Sequence, residues 1–186
     1  MKMKTDLKNE IELPNGINVT IVDSMVTVKG PKGEISRKFI HPKVSVKLSE
    51  NQIILESLKA TKREKKLLST FTAHLKNMFK GVQEPHVYKM KVCSGHFPMN
   101  VTINDKEVVI KNFFGENTPR KAAIVAGVSV KISGDEITIV SSDIEAAGQM
   151  AGRIEQLCRV TNRDIRIFQD GCYITNKAGK DLTSVK

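Results

Sequence analysis

Tryptophan is absent from the 186 residues, tyrosine occurs twice, and aromatic residues of all kinds make up only 5%. A reader of single-stranded RNA that stacks bases on sheet aromatics needs more rings than this, and its signature motif is missing. Three cysteines, Cys93, Cys158 and Cys172, are odd in number and widely spaced. They fit free thiols in a reducing compartment better than a disulfide framework. No apolar run approaches the roughly 18 residues of a membrane span. The opening "MKMKTDLKNE" lacks the apolar stretch of a secretory signal. A cytoplasmic protein with no membrane partner is the expectation.

Catalytic signatures are missing as well. No Walker loop, dinucleotide fingerprint, nucleophile elbow or His-Glu-x-x-His helix occurs. The carboxylates are scattered, so a two-metal nuclease has no visible acidic cluster. Cys93-x-x-His96 has two ligand types at finger spacing, but no second pair follows. The sequence therefore names no catalytic residue, no cofactor and no metal.

Positive charge is what the chain has in excess, a net +10. On a small protein this points to a polyanion, usually nucleic acid, bound through neutralised phosphates and released counterions. A merely solvated basic face is the plain alternative.

The chain also repeats itself. "NVTIVDSMVTVKGPKGE" from Asn18 and "NVTINDKEVVIKNFFGE" from Asn100 agree at Asn, Val, Thr, Ile, Asp, Val, Lys, Gly and Glu. "VSVKLSENQIILES" from Val44 is answered by "VSVKISGDEITIVSS" from Val128. Both pairs alternate apolar and polar residues about a polar turn, the pattern of hairpins. The Asn-x-Thr sequons at Asn18 and Asn100 are then by-products of a repeated strand.

A helix follows each set. Thr61-Lys-Arg-Glu64 reads as a capping box, with Leu68, Phe71, Leu75, Met78 and Phe79 as its core stripe and Gly81 placed to end it. Ser142-Asp-Ile-Glu145 reads as the same box, followed by Ile144, Ala147, Ala151, Ile154 and Leu157. The fold class expected is α+β, with two tandem copies of one small unit. Each copy is a mostly antiparallel β-sheet packed against one α-helix, over residues 1–83 and 84–186, with "QEP" at 83–85 as the joint.

With "VKGPKGEISRKF" (28–39), "NMFKGV" (77–82), "YKMKVCSGHFPMNVTI" (88–103), "IKNFFGE" (110–116) and "TNRDIRIFQDGCYI" (161–174) in order, the chain resembles a known family. That family is universal large-subunit ribosomal protein six, in its archaeal and eukaryotic branch, where the eukaryotic cytosolic protein is number nine. The resemblance implies a duplicated α+β fold and a non-enzymatic structural role in the large ribosomal subunit. It implies binding to large-subunit rRNA near the sarcin–ricin loop and stalk base, with neighbouring ribosomal proteins there and translational GTPases docking nearby. Assembly in the nucleolus follows if the source is a eukaryote. The segment "ESLKATKREKKLLSTF" and the short tail after Gly179 depart from animal and yeast relatives. A nucleic-acid-processing enzyme with two sheet-and-helix lobes is the alternative reading.

Charge and resemblance point to different halves. Residues 1–82 hold 16 Lys and Arg against 8 Asp and Glu, whereas residues 83–186 hold 14 against 12. Lys62, Arg63, Lys65 and Lys66 crowd the first turn of a helix, where the macrodipole is already positive and an external phosphate would be welcome. Lys29 and Lys32 flank a Gly-Pro-Lys-Gly turn, which lacks the spacing of a phosphate loop. The resemblance instead implies that the C-terminal unit makes the principal rRNA contact, through Arg153, Arg159, Asn162, Arg163, Arg166, Lys177 and Lys180. Lys89, Lys91, His96, Lys111, Arg120 and Lys121 join that set, and the six N-terminal cations rank second. Arginine's planar fork suits phosphates and base edges. Asp164 is a candidate partner for Arg163 or Arg166. Strand parity puts Lys89 and Lys91 on one face and His96 on the other. Of Phe113 and Phe114, one is expected buried and one at a turn.

Overall fold

The computed structural model describes residues 5–49 and 51–182. Two compact units divide the chain, Met1–Pro85 and His86–Lys186.

The first unit runs β1 (Thr5–Glu12), β2 (Asn18–Val22), β3 (Met25–Gly30), β4 (Gly33–Lys38), β5 (Ser45–Ser49), β6 (Gln52–Ala60) and α1 (Lys62–Gln83). Its strands form two antiparallel sheets, in the orders β2-β3-β4 and β1-β6-β5. Period-2 alternation turns Val26, Val28, Ile53 and Leu55 inward, where Leu68, Phe71, Leu75, Met78, Phe79 and Val82 of α1 meet them. The helix begins at the expected box: Thr61 accepts from the Arg63 N–H, and the Glu64 carboxylate accepts from the Thr61 N–H at 2.8 Å. That carboxylate is also bonded by the Thr61 hydroxyl. These bonds, the hydroxyl first, hold the Glu64 carboxyl down at about 2.

Gly81 does not end the helix. It lies buried inside α1, which continues through the buried Val82 to Gln83. The stop is Pro85, whose ring forces Glu84 into extended backbone at φ −131°. Gly30 matters more: a Cβ there would lie 2.8 Å from Val82 Cγ2. Glycine lets the β3–β4 turn approach the end of α1, and the Lys32 N–H bonds the Val82 carbonyl at 3.0 Å.

The second unit repeats this plan as β7 (His86–Cys93), β8 (Asn100–Asn104), β9 (Glu107–Lys111), β10 (Arg120–Ala123), β11 (Val128–Ser133), β12 (Glu136–Ser141) and α2 (Ile144–Leu157). It then adds β13 (Gly171–Lys177) and β14 (Lys180–Asp181). The sheets are β8-β9-β10 and β11-β12-β7-β13-β14, antiparallel throughout. The added hairpin widens the second sheet on the far side of β7.

Within the first repeated hairpin the residue-for-residue match holds in three dimensions as far as Lys29 and Lys111, and the second repeated hairpin pairs in the same register, Ser45↔Glu56 against Ser129↔Val140. Asp23 and Asp105 both take left-handed backbone at φ 46° and 47°, which explains why the turn keeps an aspartate. Beyond Lys29 and Lys111 the copies of that first stretch part. Gly33 and Glu34 open β4 after a two-residue turn, whereas Gly115 and Glu116 lie in and beyond a 3-10 turn over Phe113–Gly115, well before β10. Their sequence match carries no structural equivalence. The second capping box is also displaced by one residue. Asp143, not Ser142, is the N-cap, accepting the Glu145 N–H at 2.9 Å, and Ser141 Oγ receives the Asp143 N–H. On α2 the core positions are Ala147, Met150, Ala151 and Ile154, with Ile144 and Leu157 only half-buried.

Candidate nucleic-acid interface

Thirteen residues separate α2 from β13, and they carry Arg159, Asn162, Arg163 and Arg166. Asp164 shapes this loop. Its carbonyl accepts the N–H groups of Ile167 at 3.1 Å and Phe168 at 2.9 Å, and its Oδ1 accepts that of Arg166 at 3.0 Å. The Arg166 guanidinium folds back on the same carboxylate, Nη2 to Oδ2 at 2.7 Å, which lowers the Asp164 carboxyl below its ordinary range. Of the two arginines, Asp164 therefore takes Arg166. That side chain is still 85% exposed, so the pair is screened and weak. Asn162 supplies a left-handed residue at φ 60°, a conformation asparagine tolerates.

Arg163 is held by rings instead of a carboxylate. Its guanidinium carbon lies 5.0 Å from the centroids of both Phe114 and Phe168, a double cation–π contact. Phe168 in turn sits 4.9 Å from the His96 ring. Phe113 and Phe114 both lie in the 3-10 turn, Phe114 at φ 50°, and both are buried, so the ring expected at a turn is turned inward as well. Phe114, with Phe168, is a floor under Arg163, and Phe113 lies under Arg120, so the pair is not an open stacking platform.

His96 lies beyond β7, which ends at Cys93, so strand parity does not reach it. A buried carboxylate places it. Asp170 is 2% exposed and accepts the N–H groups of Gly95 at 2.9 Å, His96 at 3.0 Å and Phe97 at 3.2 Å, with His96 Nδ1 at 3.0 Å. Burial pushes this carboxyl up, but the His96 ring and the three N–H donors outweigh it and hold Asp170 at about 2. With Nδ1 facing Asp170, Nε2 is the ring nitrogen turned to other partners.

Arg120 is an internal strut. It grips Glu116 through Nε at 2.8 Å and Nη2 at 2.5 Å, bonds the Leu157 and Arg159 carbonyls at the end of α2, and covers the Phe113 ring at 4.3 Å. The open carbonyls of a helix C-terminus attract a cation, and the grip lowers the Glu116 carboxyl. Every arm of this guanidinium is committed inside the protein.

The remaining candidates are spread out. Lys89 and Lys91 point away from α2 on β7, and the register Lys131↔Thr138↔Lys89 brings Lys131 onto the same open face. Lys177 and Lys180 pair across the β13–β14 turn. Lys111 is exposed at the end of β9, Lys121 stands 4.0 Å from Glu107, and Arg153 lies on the exposed side of α2. No ion pair holds Arg153, Arg159 or Arg163 among the described residues. In the first unit, Lys62, Arg63, Lys65 and Lys66 are exposed in the first turn of α1. Lys32, with Lys29 near Glu34 at 3.6 Å, sits by its last turn. A 22-residue helix separates these sets, roughly 33 Å at 1.5 Å per residue, so they cannot form one contact.

Asp170, Phe168 and Lys131 belong to this geometry but were not among the sequence candidates. Strand parity signals Lys131. Nothing local signals Asp170, whose partners lie more than 70 residues away in the chain. Among the described residues no group of three or more His, Cys, Asp and Glu is disposed to hold a metal, and no helix is long and apolar enough to cross a membrane.

Comparison with known proteins bears directly on this surface. The family model described as ribosomal protein L6 matches residues 13–85 and again 97–171. The large ribosomal subunit protein uL6 of Methanobrevibacter smithii is 42% identical over 177 residues, covering 95% of this chain and 99% of that protein. That of Methanocella arvoryzae is 42% identical with 95% and 100% covered, and that of Nanoarchaeum equitans 41% identical with 95% and 96% covered. With one model matching both repeats and full-length relatives at this identity, the chain belongs to the ribosomal protein L6 family, whose members are structural proteins of the ribosome and not enzymes.

Proposed function

We propose that this protein is a structural component of the large ribosomal subunit that binds large-subunit rRNA chiefly through its second unit. The observation that carries the RNA surface is the set Arg153, Arg159, Arg163 and Arg166, which lies on α2 and the loop after it and, among the described residues, has a carboxylate partner only at Arg166. Guanidinium forks of this kind bind phosphates bidentately, and phosphate contacts set the position of a protein on RNA. His96, Lys89, Lys91, Lys177 and Lys180 extend the surface. Arg120 leaves the set, since its guanidinium is spent on Glu116 and α2. The reading places the protein by the sarcin–ricin loop and stalk base, beside neighbouring ribosomal proteins and the docking site of translational GTPases, in the cytoplasm. The nuclease alternative loses its ground with membership of a ribosomal protein family.

Co-sedimentation tests the assignment: the protein stays with large subunits through a moderate-salt wash, and recovery in the free soluble pool alone would refute it. Arg163→Ala with Arg166→Ala weakens rRNA binding more than Lys62→Ala with Lys65→Ala. Each phosphate contact removed lowers the slope of log affinity against log salt by about one. Equal losses from the two pairs would overturn the ranking of the units.

A further inference from the structure

Beside the loop after α2 is a groove of about 1080 Å³, wider than ordinary small-molecule pockets of roughly 300–1,000 Å³. Its walls are apolar in an unusual way for a basic surface. Ile165 and Ile167 are 69% and 62% exposed and Tyr173 is 42% exposed, yet all three line it. The Tyr173 hydroxyl donates to the Gln169 carbonyl at 2.9 Å, which fixes the ring. Arg159 and His96 stand on the rim, and Lys91 lies directly across the strand pair from Tyr173. Glu155 also lines the groove.

An A-form duplex satisfies the cations but not the walls. Its surface is phosphate, sugar hydroxyl and a narrow, deep major groove, with no apolar group to enter a cleft. A protein segment would fill the walls but gains nothing from a cationic rim unless it is acidic. An unpaired nucleotide matches both, with a phosphate for the rim and a planar face for Tyr173 and the isoleucines. Resting on the RNA-binding reading above, we propose that this groove receives one unstacked nucleobase of the bound RNA, with guanine favoured. A carboxylate only accepts hydrogen bonds. Among the bases, guanine offers it two adjacent N–H donors, the ring imino and the exocyclic amino groups. Loop or bulge RNA, not plain duplex, is then the partner of this unit.

The full-length protein is titrated with a short, fully paired RNA hairpin and with the same hairpin carrying one bulged guanosine or adenosine. Binding is read by fluorescence anisotropy, and occupancy by iodoacetamide labelling of Cys93, a half-buried thiol in the groove wall. The bulged guanosine hairpin binds about tenfold tighter than the paired one, within the range that stacking of one base gives, and shields Cys93. Ile165→Ser with Ile167→Ser removes this preference and leaves paired-stem binding and its salt dependence unchanged. Both residues are exposed, so the fold does not depend on them. Glu155→Gln levels guanosine against adenosine without lowering binding to the paired stem. Equal affinity for both hairpins with Cys93 unshielded would overturn the groove and leave the RNA-binding reading standing. Absence of binding to every hairpin at low salt would sink both. In isolated large subunits, shielding of Cys93 that protease digestion of neighbouring proteins abolishes would give the groove to a protein partner and overturn the proposal.

Discussion

Asp170 shows how one buried side chain positions several others. Its carboxylate gathers three consecutive N–H groups and one imidazole, so the 95–97 segment and the start of β13 are a single piece. Asp170→Asn keeps the volume but gives up an acceptor and the charge, and costs about 2 kcal/mol in urea unfolding. The folded carboxyl sits at about 2 against roughly 3.9 in an unfolded chain, so the unfolded state binds more protons in that range. The stabilisation is therefore complete above about pH 4 and is lost as pH falls toward 2. In Asp170→Asn this part of the acid-unfolding slope disappears. A variant with an unchanged slope would show that the network is not ionic. Arg120 makes the opposite point: a cation nominated for RNA is consumed by a helix end, and Arg120→Ala is expected to lower stability, measured by urea unfolding, more than affinity.

At the scale of elements, α1 carries a complete capping box and α2 a single aspartate cap. Thr61→Ala is expected to cost about 1 kcal/mol and to raise hydrogen exchange in the first turn of α1 before the rest. The β3–β4 turn depends on closeness, not on capping. Gly30→Ala drives a methyl into Val82, both its side chain and its carbonyl, at 3.0 Å or less. A loss of about 1–3 kcal/mol in thermal or urea unfolding follows. Val82→Ala recovers only part of it, because backbone remains in the way. The copies diverge where elements are joined. A tight turn in the first unit becomes an aromatic 3-10 loop in the second, and that loop holds the floor under Arg163.

At the scale of the molecule, each unit has its own core, Val26, Ile53 and Leu75 in one and Met90, Ile139 and Ile154 in the other. Leu75→Ala and Ile154→Ala each remove a side chain with no exposed surface and cost about 2–5 kcal/mol. Hydrogen exchange is expected to accelerate only in the unit carrying the substitution. A uniform response across both would show that the chain unfolds as one body. The greater excess of charge sits in the first unit, but its lysines are parted by the length of α1. The second unit is closer to neutral and presents its arginines around one loop. Distribution, more than net charge, makes a surface able to hold RNA, because each phosphate is bound locally.

Periodicity and turn chemistry are local, and they determined the strands, the two helices, the first capping box and the duplication, apart from the residue match beyond Lys29 and Lys111 in the first hairpin. Composition pointed to a polyanionic partner class. What lay beyond the reach of local pattern required distant segments to meet. Gly81 resembled a helix stop until the burial of Val82 drew α1 onward to the proline. Phe113 and Phe114 became floors because one packs beneath Arg120 and the other beneath Arg163. Asp170, Arg120 and the groove beside α2 took their roles from partners far away in the chain. Such roles rest on hydrogen bonds and packing that only tertiary folding creates, and no window of sequence contains both partners.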